Sequence, residues 1–157
     1  MKLLIEERIF SWNDRFTIRD ERGEDRYYVE GELFSWGKKL RVYTPSGHEV
    51  AYIKQTLFTF KPRYQVFADG ELIGEVVREF TFFRPRYTVE GAGWDVEGEI
   101  WSHAYTVFRH GEPIVSITKE WFTWGDCYVL DITDPADEIQ ALALVLAIDC
   151  VMEQDNN

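Results

Sequence analysis

Ala141-Leu142-Ala143-Leu144-Val145-Leu146-Ala147-Ile148 is eight residues long without one polar side chain, and its reading decides the fold. A surface helix carries an apolar stripe and a polar back. This run is apolar all round, so it needs a dry neighbour on every side. Just upstream, Asp134 stands as a helix N-cap, Pro135 as the first helical residue, and Asp137 and Glu138 beside the unpaired amides of the first turn. The predicted helix covers 136–152. A bilayer crossing takes about 20 apolar residues, and this run ends at Asp149 after eight. A helix of that span is roughly 25 Å long at about 1.5 Å per residue, close to the height of a small barrel. The rest of the chain is therefore expected to wrap around it.

What wraps is written as strands. The phrase FSWNDRFTI at Phe10 returns as FSWGKKLRV at Phe34, FTFKPRYQV at Phe58, FTFFRPRYTV at Phe80 and FTWGDCYVL at Phe122, with a degenerate copy, WSHAYTV, at Trp101. The spacing is that of a β-hairpin and its turns. Strands are expected at 3–9, 15–19, 26–34, 38–44, 48–56, 61–68, 71–79, 85–90, 94–99, 103–109, 112–120 and 126–132, separated by turns such as Pro45-Ser46-Gly47, Asp69-Gly70 and His110-Gly111. Alternate positions in the repeat are bulky: Phe16/Ile18, Leu40/Val42, Tyr64/Val66, Tyr87/Val89, Tyr105/Val107 and Tyr128/Leu130. The positions between them include Arg15, Lys39, Arg63 and Arg86, so each strand has a dry face and a wet face. The fold class that follows is all-β with one helix: a twelve-stranded antiparallel β-barrel enclosing a hydrophobic C-terminal helix. Twelve strands enclose more space than side chains alone fill, and a helical plug fills it. One domain is expected over 1–153, with a disordered polar tail at 154–157.

Composition narrows the function classes. With 28 acidic against 17 basic residues, the net charge is −11, which disfavours long-range attraction to nucleic acid or an anionic bilayer. The start, MKLLIEERIF, meets two Glu before a secretory apolar region develops. Cys127 and Cys150 make neither a disulfide framework nor a CxxC pair. A cytoplasmic protein with no transmembrane segment is expected.

The repeated aromatic hairpins with glycine turns, the segment Gly70-Glu71-Leu72-Ile73-Gly74-Glu75-Val76 and the closing Leu142-Ala143-Leu144-Val145-Leu146-Ala147-Ile148-Asp149 together resemble the LURP-one-related (YxjI-like) family, the bacterial and plant branch of the tubby C-terminal-like fold. The resemblance spans about residues 1–153 and implies the same barrel around a helix. It also implies kinship with tubby domains, which bind phosphoinositides, and with the membrane-associated scramblases. The branch itself has no generally assigned enzyme activity.

Three sets of residues are candidates for chemistry. Lys61-Pro62-Arg63 and Arg84-Pro85-Arg86 hold matching places in the repeat, nearly matched by Lys38-Lys39. These six cations could grip an anionic head group through charge-assisted hydrogen bonds, or could be strand-end charges that pair with carboxylates and discourage edge pairing. Asp95, Glu97 and Glu99, with His103 nearby, suit metal binding or proton transfer if they converge; on one face of a strand they also suit simple solvation. Asp149 closes the dry run and should accept hydrogen bonds, pair with a barrel arginine or emerge at the barrel mouth. No nucleotide-binding glycine motif or zinc-ligand pair occurs, and neither a metal nor another cofactor is expected. The sequence thus favours a non-catalytic binding or scaffold domain for a protein or small anionic ligand. A peripheral phospholipid or phosphoinositide module is the alternative, and a metal- or carboxylate-dependent enzyme stands last.

Overall fold

The computed structural model describes residues 1–6, 15–34, 37–83, 86–91, 93–122 and 125–155. Twelve strands follow in chain order: β1 (Lys2–Glu6), β2 (Arg15–Asp20), β3 (Asp25–Phe34), β4 (Gly37–Tyr43), β5 (Glu49–Gln55), β6 (Arg63–Ala68), β7 (Glu71–Glu79), β8 (Arg86–Glu90), β9 (Trp94–Glu99), β10 (Ala104–Arg109), β11 (Glu112–Phe122) and β12 (Gly125–Ile132). They make one antiparallel sheet ordered β8-β7-β6-β5-β4-β3-β2-β1-β12-β11-β10-β9. The first strand joins the last through pairs such as Leu3 with Leu130 and Ile5 with Tyr128, which curls the sheet into a nearly closed barrel.

The remaining gap lies between β8 and β9, which share no ladder among the described residues. A side chain of β9 bridges it. The indole N–H of Trp94 on β9 reaches past β8 and donates to the Ile73 carbonyl on β7 at 2.9 Å. Gly74 and Gly91 let the backbones approach: a Cβ on Gly74 would stand 2.8 Å from the Glu90 carbonyl, and one on Gly91 2.9 Å from that of Ile73. Part of the GELIGEV segment thus borders the seam.

The interior is filled as the apolar run requires. Helix α1 (Glu138–Asp155) follows a 3-10 turn over Pro135–Asp137. Every residue from Ala141 to Ile148 is buried, among them Leu142, Leu144, Leu146 and Ile148. The inward face of the sheet supplies Ile18, Val29, Leu40, Ile53, Tyr64, Val66, Val107 and Leu130, in agreement with the alternation read from the repeat. The helix starts later than the sequence suggests. Asp134 does cap the turn, its carboxylate accepting from the Ala136 amide at 3.0 Å, but the Asp137 amide bonds back to the Asp134 carbonyl, so the first turn winds tightly and α-geometry begins at Glu138. The helix then continues to Asp155, beyond the expected end at 152. Among the described residues, no helix is long and apolar enough to cross a membrane.

Because each strand reverses the one before, connections after odd-numbered strands gather at one rim and those after even-numbered strands at the other. Helix α1 follows β12 and so enters from the second rim, with its C-terminal end directed at the first. The second rim is built of short polar turns. At one of them the Asp20 carboxylate accepts from the amides of Arg22 and Glu24.

Candidate functional site: an aromatic rim and a charged flank

Among the described residues, the first rim includes the leading half of the repeats at Phe58, Phe80 and Trp101. The connection 56–62 between β5 and β6 reads TLFTFKP, 80–83 after β7 reads FTFF, and 100–103 between β9 and β10 reads IWSH. Phe58, Phe60, Phe80, Phe82, Phe83 and Trp101 are exposed on them, and Trp121 is exposed near the end of β11 on the same rim. Among the described residues the other exposed large apolar side chains are only Leu72 and Tyr28. Phe58, Phe82 and Phe83 are 104%, 101% and 98% exposed, so they pack against none of the described residues. Soluble proteins scatter single apolar residues over their surfaces, whereas a group of them at one place marks an interaction site.

Local geometry sets these tips. Phe58 has φ +59°, a left-handed conformation that a bulky side chain adopts at a cost of roughly 1–2 kcal/mol. The Thr59 hydroxyl braces the turn by donating to the Lys61 carbonyl at 2.8 Å. The rings of Phe60 and Phe80, on neighbouring hairpins, are 5.0 Å apart and tilted, an ordinary aromatic pair geometry. The copies of the motif at Phe10 to Trp12, at Trp36 and at Trp124 lie outside the described residues.

The basic candidates divide. Lys61, Arg63 and Arg86 come together on the outer flank of β6, β7 and β8, but among glutamates. Lys61 Nζ is 2.6 Å from Glu79, and Arg63 is 2.9 Å from Glu75 and 3.3 Å from Glu90. Arg86 lies opposite Glu79 in the ladder. Lys61, helped by the Thr88 hydroxyl and by Arg86, holds the Glu79 carboxyl below its usual range. Lys38 and Lys39 stand two strands away on β4, where Lys39 is flanked by Glu32 and Lys54 and the Lys38 amide donates to the Gln55 side chain. Arg84 lies outside the described residues. Three of the six cations therefore converge, and the three carboxylates beside them leave no concentrated positive charge.

The acidic candidates stay apart. Asp95, Glu97 and Glu99 are exposed on the outer face of β9. Among the described residues no group of three or more His, Cys, Asp and Glu side chains is arranged to hold a metal ion. His103 turns away from them: at φ +56° it stacks on Tyr128 at 3.9 Å, with Nδ1 4.0 Å from Asp149. Asp149 thus faces an imidazole. It does not end the dry segment, since Cys150, Val151 and Met152 are buried beyond it. The Tyr105 hydroxyl is buried nearby without a hydrogen-bond partner; burial, and then Asp149, push its pKa far up. Cys127 and Cys150 are both buried and are not joined in a disulfide.

A buried ion pair occurs at the other end of the helix, on a residue the sequence reading placed only as a first-turn acid. Glu138 accepts two bonds from Arg26 at 2.8 Å and one from the Tyr27 hydroxyl. The Glu138 carboxylate holds the Arg26 guanidinium above its ordinary pKa. A second clamp is Arg109, which bonds Asp137 at 2.9 Å and Gln140 at 2.8 Å and lies over the Trp94 ring. Both clamps fix the helix at its entrance.

A helix-filled antiparallel barrel of twelve strands, with its one helix at the C-terminus, is the tubby C-terminal-like fold. The sequence matches LURP-one-related proteins over residues 1–149, and the chain belongs to that family. Over 157 residues it is 29% identical to the uncharacterized protein YxjI of Bacillus subtilis (strain 168), covering 100% of this chain and 97% of that one. An X-ray structure of a protein from Arabidopsis thaliana superposes with a TM-score of 0.62 at 16% identity, covering 95% of this chain and 90% of that one. At that identity the likeness concerns the fold.

Proposed function

We infer that this protein is a non-catalytic cytoplasmic binding domain whose working surface is the aromatic rim, held rigid by a barrel whose interior the helix occupies. The observation that carries this reading is the gathering of seven exposed aromatic side chains on one rim, one of them in a backbone conformation that a phenylalanine adopts only at a cost. The helix supports the non-catalytic part of the reading, because it takes up the space where a pocket with convergent polar groups would form. The phosphoinositide alternative is weaker, since Lys61 and Arg63 are already engaged by glutamates. Placing a photo-crosslinking residue at Phe60 or at Ser46 on the opposite rim tests the reading in living cells. Adducts are expected from Phe60 and not from Ser46. Equal capture at the two rims, or none at either, would overturn it.

A further inference from the structure

The chemistry of the rim points to what it touches, and we propose that these aromatic tips dock the domain on a lipid bilayer by inserting into the boundary between head groups and acyl chains, with no need for an anionic lipid. The inference rests on the rim being the working surface. Its first ground is shape. Phe58 and Phe60 stand on one hairpin tip, Phe82 and Phe83 on the next, and Trp101 on a third connection. A protein interface needs a contiguous core that its partner packs to interior density. Here, among the described residues, a single ring contact, Phe60 with Phe80, joins neighbouring tips. Phe58, Phe82 and Phe83 project beyond it almost wholly exposed, so a rigid partner would have to match the projecting rings one by one. A fluid acyl layer closes around such points without matching them, and each phenylalanine withdrawn from water is worth roughly tenfold or more in a partition coefficient.

Charge is the second ground. The stretches 56–62, 80–83 and 100–103 contain no Asp or Glu and one cation, Lys61. In a chain of net charge −11, the turns of the opposite rim hold Glu21, Glu24, Asp69, Asp134 and Asp137. Docking by these three connections therefore sets near-neutral stretches against the bilayer and keeps those five acids, with Arg22 among them, on the far side. Because Lys61 and Arg63 are engaged by glutamates, attraction to anionic head groups contributes little, which sets this mode apart from a polybasic one. With no membrane-crossing helix among the described residues, penetration is limited to the side chains of the tips, as in interfacial binding.

The test is co-sedimentation of the full chain with phosphatidylcholine vesicles, with and without phosphatidylserine, at low and near-physiological salt. The wild-type chain should bind both kinds, with little dependence on salt. The triple variant Phe58→Ser, Phe82→Ser, Phe83→Ser should lose at least about 100-fold in partitioning, with an unchanged melting temperature. Leu72→Ser on the opposite rim should bind like wild type. Quenching of tryptophan fluorescence by lipids brominated near the glycerol end of the chain should report shallow insertion of the unmodified protein. Failure to bind phosphatidylcholine vesicles, binding that needs phosphatidylserine and vanishes with salt, or undiminished binding by the triple variant would each overturn the proposal. Self-association in sedimentation velocity that the triple variant abolishes, without vesicle binding, would overturn it in favour of a second copy of the chain. Rim-specific crosslinks in cells with no vesicle binding would refute the lipid while leaving the working surface in place.

Discussion

Removing the Glu138 carboxylate should loosen the helix inside its barrel. Glu138 is buried and receives two bonds from Arg26 and one from the Tyr27 hydroxyl. Breaking a fully buried pair from one side costs about 3–5 kcal/mol, but the Arg26 side chain is 41% exposed and can recover water, so the ionic part falls towards the lower end. The orphaned Tyr27 hydroxyl, which is buried, adds about 1–3 kcal/mol. Because the two losses share one carboxylate and overlap, Glu138→Ala should destabilise by about 2–4 kcal/mol. Glu138→Gln, which keeps an acceptor but no charge, should cost roughly half as much. Replacing all three groups by apolar ones, Arg26→Met and Tyr27→Phe with Glu138→Leu, should bring stability back to within about 1 kcal/mol of wild type, since neither a charge nor a hydroxyl is then stranded. Equilibrium urea denaturation followed by tryptophan fluorescence measures all four proteins. If Glu138→Ala and Glu138→Gln each cost less than about 0.5 kcal/mol, the clamp contributes nothing to holding the helix and the reasoning fails.

Phe58→Gly should be neutral or stabilising by up to about 1 kcal/mol, because glycine relieves the left-handed strain and no packing is lost; a clear loss in thermal denaturation would mean that the exposed ring has a structural partner. Burial raises the pKa of Tyr27, Tyr64 and Tyr105 in the fold, with Glu138 adding for Tyr27. The folded state then keeps protons that the unfolded chain releases near pH 10, so stability should hold below that pH and fall above it by up to about 1.4 kcal/mol per pH unit for each such tyrosine; a flat profile between pH 10 and 11 would contradict their burial. Lys61→Glu with Arg63→Glu should leave vesicle association changed by no more than about threefold at physiological salt, as already neutralised cations add little; loss of binding measured by co-sedimentation would return these residues to the site. Truncation after residue 135 should abolish cooperative melting, because withdrawing Leu142, Leu144, Leu146 and Ile148 from the core forfeits roughly 6–12 kcal/mol of burial, as much as a whole domain's net stability of about 5–15 kcal/mol; near-ultraviolet circular dichroism identical to that of the full chain would refute this.

The barrel and its plug were legible in the sequence because both rest on periodicity, which is a local property. Alternation in RFTIRD or RYQVFA marks a dry face wherever the strand ends up, and a run such as Ala141–Ile148 demands enclosure whatever encloses it. The cap at Asp134 was equally local, although a tight turn delayed the helix to Glu138. Pairing across the barrel was decided only by tertiary structure. Nothing near Glu138 in the chain announces Arg26, 112 residues away, and spacing alone could not show that Asp149 would face His103. The basic candidates show the same limit: Lys61, Arg63 and Arg86 recur in register, yet whether they form a positive patch depended on which glutamates the neighbouring strands brought alongside. The rim lay between these cases. Its Phe-x-Phe and Phe-x-Trp signatures were visible five times in the sequence, but only antiparallel order, which sends every odd-numbered strand to the same end, turns a repeat in the chain into a single surface.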